Sequence, residues 1–182
     1  MTRIDNTMDI LNLQLSGLDK EAQQIVFTIN NEEFGVDILK IQEIVRYITP
    51  VKVPNAPNFV QGVINFRGEV IPVLDMRRIF GVGAAAIDEF TVIVVVEADK
   101  KTFGLIVDRV SDIISLQVTQ IQQTPEFSTR AKTQYLKAMG KLGERLIMLL
   151  DLEKLIDFRE IDESLFHHPN DSQETAETEP SA

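Results

Sequence analysis

Apolar and polar positions along the middle of the chain fall into runs of strand length. Gln24 to Ile29, Glu33 to Ile38, Ile48 to Val53, Val60 to Asn65 and Glu69 to Met76 form one set. Thr91 to Glu97, Thr102 to Asp108, Ser111 to Leu116, Tyr135 to Lys141 and Arg145 to Leu152 form a second. β-Branched and aromatic residues crowd these runs. Turn-forming pairs separate them: Asn30-Asn31, Pro54-Asn55, Arg67-Gly68, Asp99-Lys100 and Leu142-Gly143. Many short strands with frequent turns predict an all-β fold of small barrels or sandwiches. Short helical turns are expected at Leu39 to Arg46, Arg77 to Phe80 and Glu153 to Asp157. Pro72 lacks a backbone donor, which predicts an edge or a bulge for its strand.

The pattern repeats. Phe34-Gly35-Val36-Asp37-Ile38-Leu39-Lys40-Ile41-Gln42-Glu43-Ile44 aligns without a gap on Phe103-Gly104-Leu105-Ile106-Val107-Asp108-Arg109-Val110-Ser111-Asp112-Ile113. Phe-Gly meets Phe-Gly, Lys40 meets Arg109, and Glu43 meets Asp112. Further on, Arg67-Gly68-Glu69 with Leu74-Asp75 falls over Leu142-Gly143-Glu144 with Leu150-Asp151 after one inserted residue. Hairpins resemble one another through apolar alternation alone. Shared order of Phe-Gly, charged residues and the Gly-Glu turn goes beyond that and indicates duplication. The expected organisation is an N-terminal extension (1–22), a folded unit over 23–157 and an acidic, mostly disordered tail (158–182). The folded unit divides into subdomains at about 23–86 and 87–152, with a closing segment at 153–157. Modules this small have marginal cores alone, so the two are expected to pack together. Residues 1–22 fit a helix face (Met8, Leu11, Leu15, Leu18) or a strand (Leu11, Leu13, Leu15) equally well.

Charge sharpens the boundary at the C-terminal end. From Asp157 onward eight acids stand against Arg159 alone, so the tail carries most of the net charge of −10 and the body is only mildly acidic. Its sequence after His168 is too poor in apolar residues to offset ordering entropy. No clustered basic face is present to release phosphate counterions, so nucleic acid is not an expected partner. Lys100-Lys101 and Arg77-Arg78 read as solvated pairs. Cysteine is absent, which removes disulfide frameworks and thiolate metal sites. No apolar run approaches membrane-spanning length, and Arg3 is followed by Asp5 and Asp9 rather than an apolar block. A cytoplasmic protein without direct membrane insertion is expected.

Equipment for catalysis is sparse. The two histidines, His167 and His168, border the tail. Gly81-Val82-Gly83 runs into alanines and reads as a connector rather than a phosphate loop. Asp75 and Asp151 end equivalent strands at the start of short helices, where aspartate caps backbone N–H groups. Capping is favoured over acid/base work there. An enzyme using Asp75 and Asp108 is the weaker alternative. A small-ligand barrel is weaker too, because modules of this size are expected to leave no large apolar cavity. No cofactor or metal is expected, and the chain reads as a binding protein.

Two stretches suit binding. Gly62 to Asp75 forms a hairpin with Arg67-Gly68 at its tip, where Gly68 permits a positive φ. Arg67 is there either a solvated charge or a rigidly displayed anchor. In Leu39 to Arg46, Ile41 and Glu43 are either part of a helical cap or the rim of a groove.

The runs NEEFGVDILKIQEI, PNAPNFVQGVINFRGEVIPVLDMR, GLIVDRVSDII and GKLGERLIMLLDLEKLI, in that order, resemble the CheW-like coupling proteins of bacterial chemotaxis. The similarity spans about residues 22–157. It implies two intertwined five-stranded SH3-like barrels, with short helices, acting as a non-catalytic adaptor. The implied partners are the cytoplasmic tips of methyl-accepting chemoreceptors and the regulatory domain of the chemotaxis histidine kinase, joined in receptor–kinase arrays that include ring assemblies. Carried over by motif, Ile38, Ile41, Glu43, Arg67, Gly104 and Val107 would border a receptor-binding groove between the barrels. Gln122 and Phe127 would meet the kinase. Gln122 departs from the basic residue that some relatives carry there.

Overall fold

The structure, a computed structural model, describes residues 23–82, 86–123 and 133–156. The N-terminal extension, the acidic tail, Phe127 and residues 83–85 lie outside the described residues.

The first repeat supplies β1 (Gln23–Ile29), β2 (Glu32–Asp37), a 3-10 turn (Ile38–Lys40), β3 (Ile41–Arg46), β4 (Val60–Phe66), β5 (Glu69–Asp75) and α1 (Met76–Ile79). The second supplies β6 (Val92–Ala98), β7 (Lys101–Val107), β8 (Arg109–Ser115), β9 (Ile121–Gln122), β10 (Leu136–Leu142), β11 (Arg145–Leu150) and α2 (Leu152–Ile156), with 3-10 turns at Val118–Gln120 and Thr133–Tyr135. Three hairpin tips hold consecutive positive φ angles: Asn30 and Asn31, Arg67 and Gly68, Asp99 and Lys100. Two such residues make a turn whose twist matches the flanking strands.

Each repeat surrenders its first hairpin to the other. One sheet has the order β8-β1-β2-β11-β10-β9, the other β3-β6-β7-β5-β4. Within each, the exchanged hairpin is inserted by one antiparallel and one parallel seam. The parallel seams are equivalent: Gly35 lies opposite Leu149, and Gly104 opposite Val73. Both glycines of the Phe-Gly motif therefore serve packing. A Cβ on Gly104 would stand 2.7 Å from Ile93 Cγ2, and one on Gly35 2.9 Å from Leu149 Cδ2.

The expected all-β fold of two small barrels with short helices is present, β9 being a two-residue addition to the first sheet. Each barrel has an apolar filling. Val26, Ile114, Leu116, Ile147 and Leu149 fill one, and Ile64, Ile71, Val73, Ile93, Val95 and Ile106 the other. Between the sheets lies the larger shared core, including Ile25, Phe27, Phe34, Val94, Val96, Phe103, Leu105 and Leu155. Strand β6 sends Val92, Val94 and Val96 to the shared core and Ile93 and Val95 into the barrel, which accounts for its unbroken apolar run. Phe34 stacks on Phe80 at 4.8 Å, and Phe80 meets Tyr135 edge-on at 6.5 Å, tying the exchanged hairpin to both repeats.

Four expectations change. The segment Leu39 to Arg46 is a 3-10 turn followed by β3, not a helix. Ile41, Ile44 and Val45 are β-branched, and β3 gains a ladder against β6, interrupted by one irregularity at Gln42, which an isolated helix of two turns could not match. Ile48 to Val53 is not a strand; it contributes a single bridge, Val51 to Val63. Pro72 sits in β5, between β7 and β4 rather than at an edge. The ladder with β7 begins only at Val73, so the strand is locally one-sided where the donor is missing. Arg77 is 3 % exposed rather than solvated.

Candidate docking surface

The hairpin β4–β5 turns at Arg67-Gly68. The Asn65 side chain accepts the Gly68 N–H at 3.0 Å, fixing the tip. Arg67 takes φ 51°, a region that costs a side-chain-bearing residue about 1–2 kcal/mol. Its guanidinium carbon lies 4.9 Å from the Phe66 ring centroid, and Nη2 donates to Glu43 Oε2 at 3.1 Å. The pair is open to solvent, 64 % for Arg67 and 33 % for Glu43. Because β3 and β4 are opposite edges of their sheet, this contact closes the barrel across its open seam. It does so with an exposed ion pair, worth at most about 1 kcal/mol.

The other barrel closes differently. Arg145 of β11 donates to Glu33 of β2 at 2.6 and 3.1 Å and to Asp112 of β8 at 3.1 Å through two nitrogens. Hydrogen bonds to Glu33 first, then Asp112, hold the Arg145 guanidinium above its usual pKa. Asp112 is the repeat equivalent of Glu43. One copy is thus locked by a doubly bidentate arginine from a strand, the other by a single contact from an exposed tip.

The remaining residues expected in a groove are not on this surface. Ile38 is 2 % exposed and Val107 0 %, and both belong to the shared core, against which half-buried Ile41 also packs. Gly104 is buried between Val73 and Ile93. Glu43 and Arg67 come together; Ile38, Ile41 and Val107 come together beneath. Gln122 is exposed in β9, opposite Met139 of β10.

Beside Gln122 the fold exposes apolar residues that lie outside the expected strands, matched by a pair inside the expected strand Ile48 to Val53. Val118 is 88 % and Ile121 39 % exposed, and their repeat counterparts Ile48 and Val51 are 50 % and 70 % exposed. Both pairs precede the second hairpin of their repeat and are pinned to it by bridges, Val51 to Val63 and Ile121 to Gly140. Extending the repeat alignment past β3 and β8, with Gln117 inserted, would have revealed the matched pairs.

The aspartates act structurally. Asp75, 2 % exposed, accepts the Arg77 N–H at 3.0 Å and Arg77 Nε at 3.0 Å. Arg77 Nη1 lies 3.7 Å from Asp108 Oδ1, whose other oxygen accepts the Asn30 N–H at 2.8 Å. Asp151 accepts the Lys154 N–H at 3.1 Å. With Arg77 seated between them, Asp75 and Asp108 are not a free acid/base pair. Among the described residues no cluster of His, Asp or Glu could hold a metal, and no helix is long and apolar enough to cross a membrane.

Comparison with known proteins agrees with this architecture. The description of the CheW-like domain matches residues 23–160. The chain belongs to the CheW-like domain family. Chemotaxis protein CheW of Klebsiella aerogenes is 40 % identical over 148 residues, 81 % of this chain and 89 % of the relative. Chemotaxis protein CheW of Helicobacter pylori is 36 % identical, covering 76 % and 83 %. The crystal structure of scaffolding protein TtCheW from Thermoanaerobacter tengcongensis superposes with a TM-score of 0.70 at 30 % identity, covering 76 % of this chain and 89 % of that one. This membership makes the chain a scaffold or adaptor of the chemotaxis class.

Proposed function

We propose that this CheW-like chain couples the cytoplasmic tips of transmembrane chemoreceptors to the chemotaxis histidine kinase, and helps build the arrays that hold them, without turnover of its own. It works in the cytoplasm, recruited to membrane-associated receptors, and needs neither cofactor nor nucleic acid. The observation carrying this reading is Arg67: an arginine held at positive φ on a fixed two-residue tip, largely exposed, with one half-exposed carboxylate as partner. Backbone strain at a displayed arginine is spent where a partner is to be met.

On this reading Arg67 and Glu43 touch the receptor tip directly, with Ile41 at the margin. Ile38, Gly104 and Val107 act from below by fixing β3 and the seam. The kinase regulatory domain meets the edge holding Gln122, together with Val118 and Ile121, and Phe127 in the segment that follows. The matched apolar pair Ile48 and Val51 offers an equivalent surface at the other barrel, which suits ring assemblies built from similar folds.

The test uses the full chain with receptor-bearing membranes and kinase. Arg67→Ala and Glu43→Ala should leave the melting temperature within a few degrees and weaken receptor binding about tenfold, the equivalent of about 1.4 kcal/mol. Ile121→Asp should spare receptor binding and reduce kinase association. Unchanged pulldown affinity and unchanged kinase activation in both tip variants would refute the receptor surface.

A further inference from the structure

Both barrel interiors are filled, but a cavity of about 520 Å³ opens on the surface between the inter-repeat connector and the ends of β1, β2 and β8. Thr28, Glu33, Asp88, Phe90, Arg109 and Ser111 are among its walls. The volume lies in the range of small-molecule sites.

Its charges are unevenly spent. Glu33 is committed to Arg145; Asp108 accepts the Asn30 N–H through Oδ2, while its buried Oδ1 makes no hydrogen bond and sits 3.7 Å from the Arg77 guanidinium. Two exposed groups of opposite sign remain. Arg109 is held with its guanidinium carbon 4.3 Å from the Phe90 ring centroid, which fixes its plane while leaving its in-plane donors free. No carboxylate among the described residues lies within ion-pair distance of it. Asp88 uses Oδ1 to accept the N–H groups of Phe90 and Thr91, at 2.8 and 3.1 Å. Its Oδ2 has no partner among the described residues. The duplication supplies the contrast: Lys40, at the place of Arg109 in the first repeat, is paired with Glu153 at 2.8 Å.

An unspent cation and an unspent anion face one cavity without reaching each other. A net anion would meet the carboxylates, and a net cation would leave Arg109 unpaired. We propose that this cavity takes a small zwitterion, its carboxylate on Arg109 and its ammonium on Asp88, with apolar bulk beside Phe90. The site is separate from the Arg67 surface and does not depend on the receptor assignment.

The probe is L-leucine, added to the isotope-labelled full chain and followed by amide resonances. The controls are 3-methylbutylamine, which lacks the carboxylate, and 4-methylpentanoate, which lacks the ammonium. Leucine should shift the Thr28, Phe90 and Ser111 amides saturably, with a dissociation constant on the order of 1 mM, as suits two charge-assisted contacts. Each control should bind about tenfold more weakly, and Arg109→Gln and Asp88→Asn should each weaken leucine about tenfold. Asparagine retains the oxygen that caps Phe90 and Thr91, and a dispersed spectrum verifies the fold of each variant. Glu89→Gln should bind as the wild type does. The proposal is overturned if leucine causes no saturable shift at these amides, if either control binds as tightly, or if both cavity variants retain full affinity.

Discussion

Alanine at Gly104 places a methyl carbon 2.7 Å from Ile93 Cγ2 and 3.4 Å from Val73 Cγ2. Both neighbours are β-branched and fully buried, so their γ carbons cannot swing aside without leaving their rotamers. Overpacking of this kind costs about 1–3 kcal/mol. Alanine recovers about 0.5–1 kcal/mol through the backbone entropy that glycine loses in a strand. The net expectation is a loss of about 1–2 kcal/mol. With a urea m-value of about 2 kcal/mol/M, the midpoint should fall by about 0.5–1 M at unchanged slope. Gly35→Ala gives an internal control. Its nearest obstruction is Leu149 Cδ2 at 2.9 Å, the far end of a flexible side chain, with Ile147 Cγ2 at 3.2 Å. It should lose less, under about 1 kcal/mol. Equilibrium urea unfolding of the two variants tests both size and order. If Gly104→Ala keeps the wild-type midpoint yet loses partner binding, Gly104 is a contact residue and the packing argument is wrong. A reversed order would refute the steric account as well.

Arg77→Ala leaves buried Asp75 with only the longer contact to Arg78 Nε, 3.8 Å away, and should cost about 3 kcal/mol, read as a large fall of the urea midpoint; Asp75→Asn keeps a cap acceptor and should cost less. Gly62→Ala should destabilise more than Gly104→Ala, because Gly62 sits at φ 144° and its Cβ would lie 2.1 Å from the Val51 oxygen, a backbone obstruction that breaks the Val51–Val63 bridge. Lys40 and Glu153 give a pH signature. The hydrogen bond from Lys40 holds the Glu153 carboxyl below its ordinary 4.5, and the same bond holds Lys40 above its ordinary 10.5. A depressed carboxyl contributes stability above its unfolded pKa and loses it as pH falls through the folded value. The difference between wild type and Lys40→Met should therefore persist at neutral pH and vanish with acidification below the ordinary carboxylate range. Both groups are more than a third exposed, so it should not exceed about 1 kcal/mol; thermal melts across pH 3–8 measure it.

The sequence by itself determined what short-range chemistry controls. Turn pairs such as Asn30-Asn31 and Arg67-Gly68 set hairpins through local φ preferences. Alternation set which residues face inward, and the aligned Phe-Gly motifs disclosed the duplication. Family resemblance then named the class of adaptor. Tertiary structure decided how the hairpins pair. Nothing local says that β1–β2 inserts between β8 and β11 rather than joining β3, because strand pairing is settled by which sheet edges meet. That exchange turned Leu39 to Arg46 partly into a strand, by supplying β6 as its neighbour, and buried Arg77 by seating it between Asp75 and Asp108. It also separated the expected groove residues: Ile38 and Val107 fell into the shared core, while Glu43 and Arg67 met at the surface. Exposure was the least legible property. Val51 and Val118 have the composition of core residues, and they face water because no second layer among the described residues covers them.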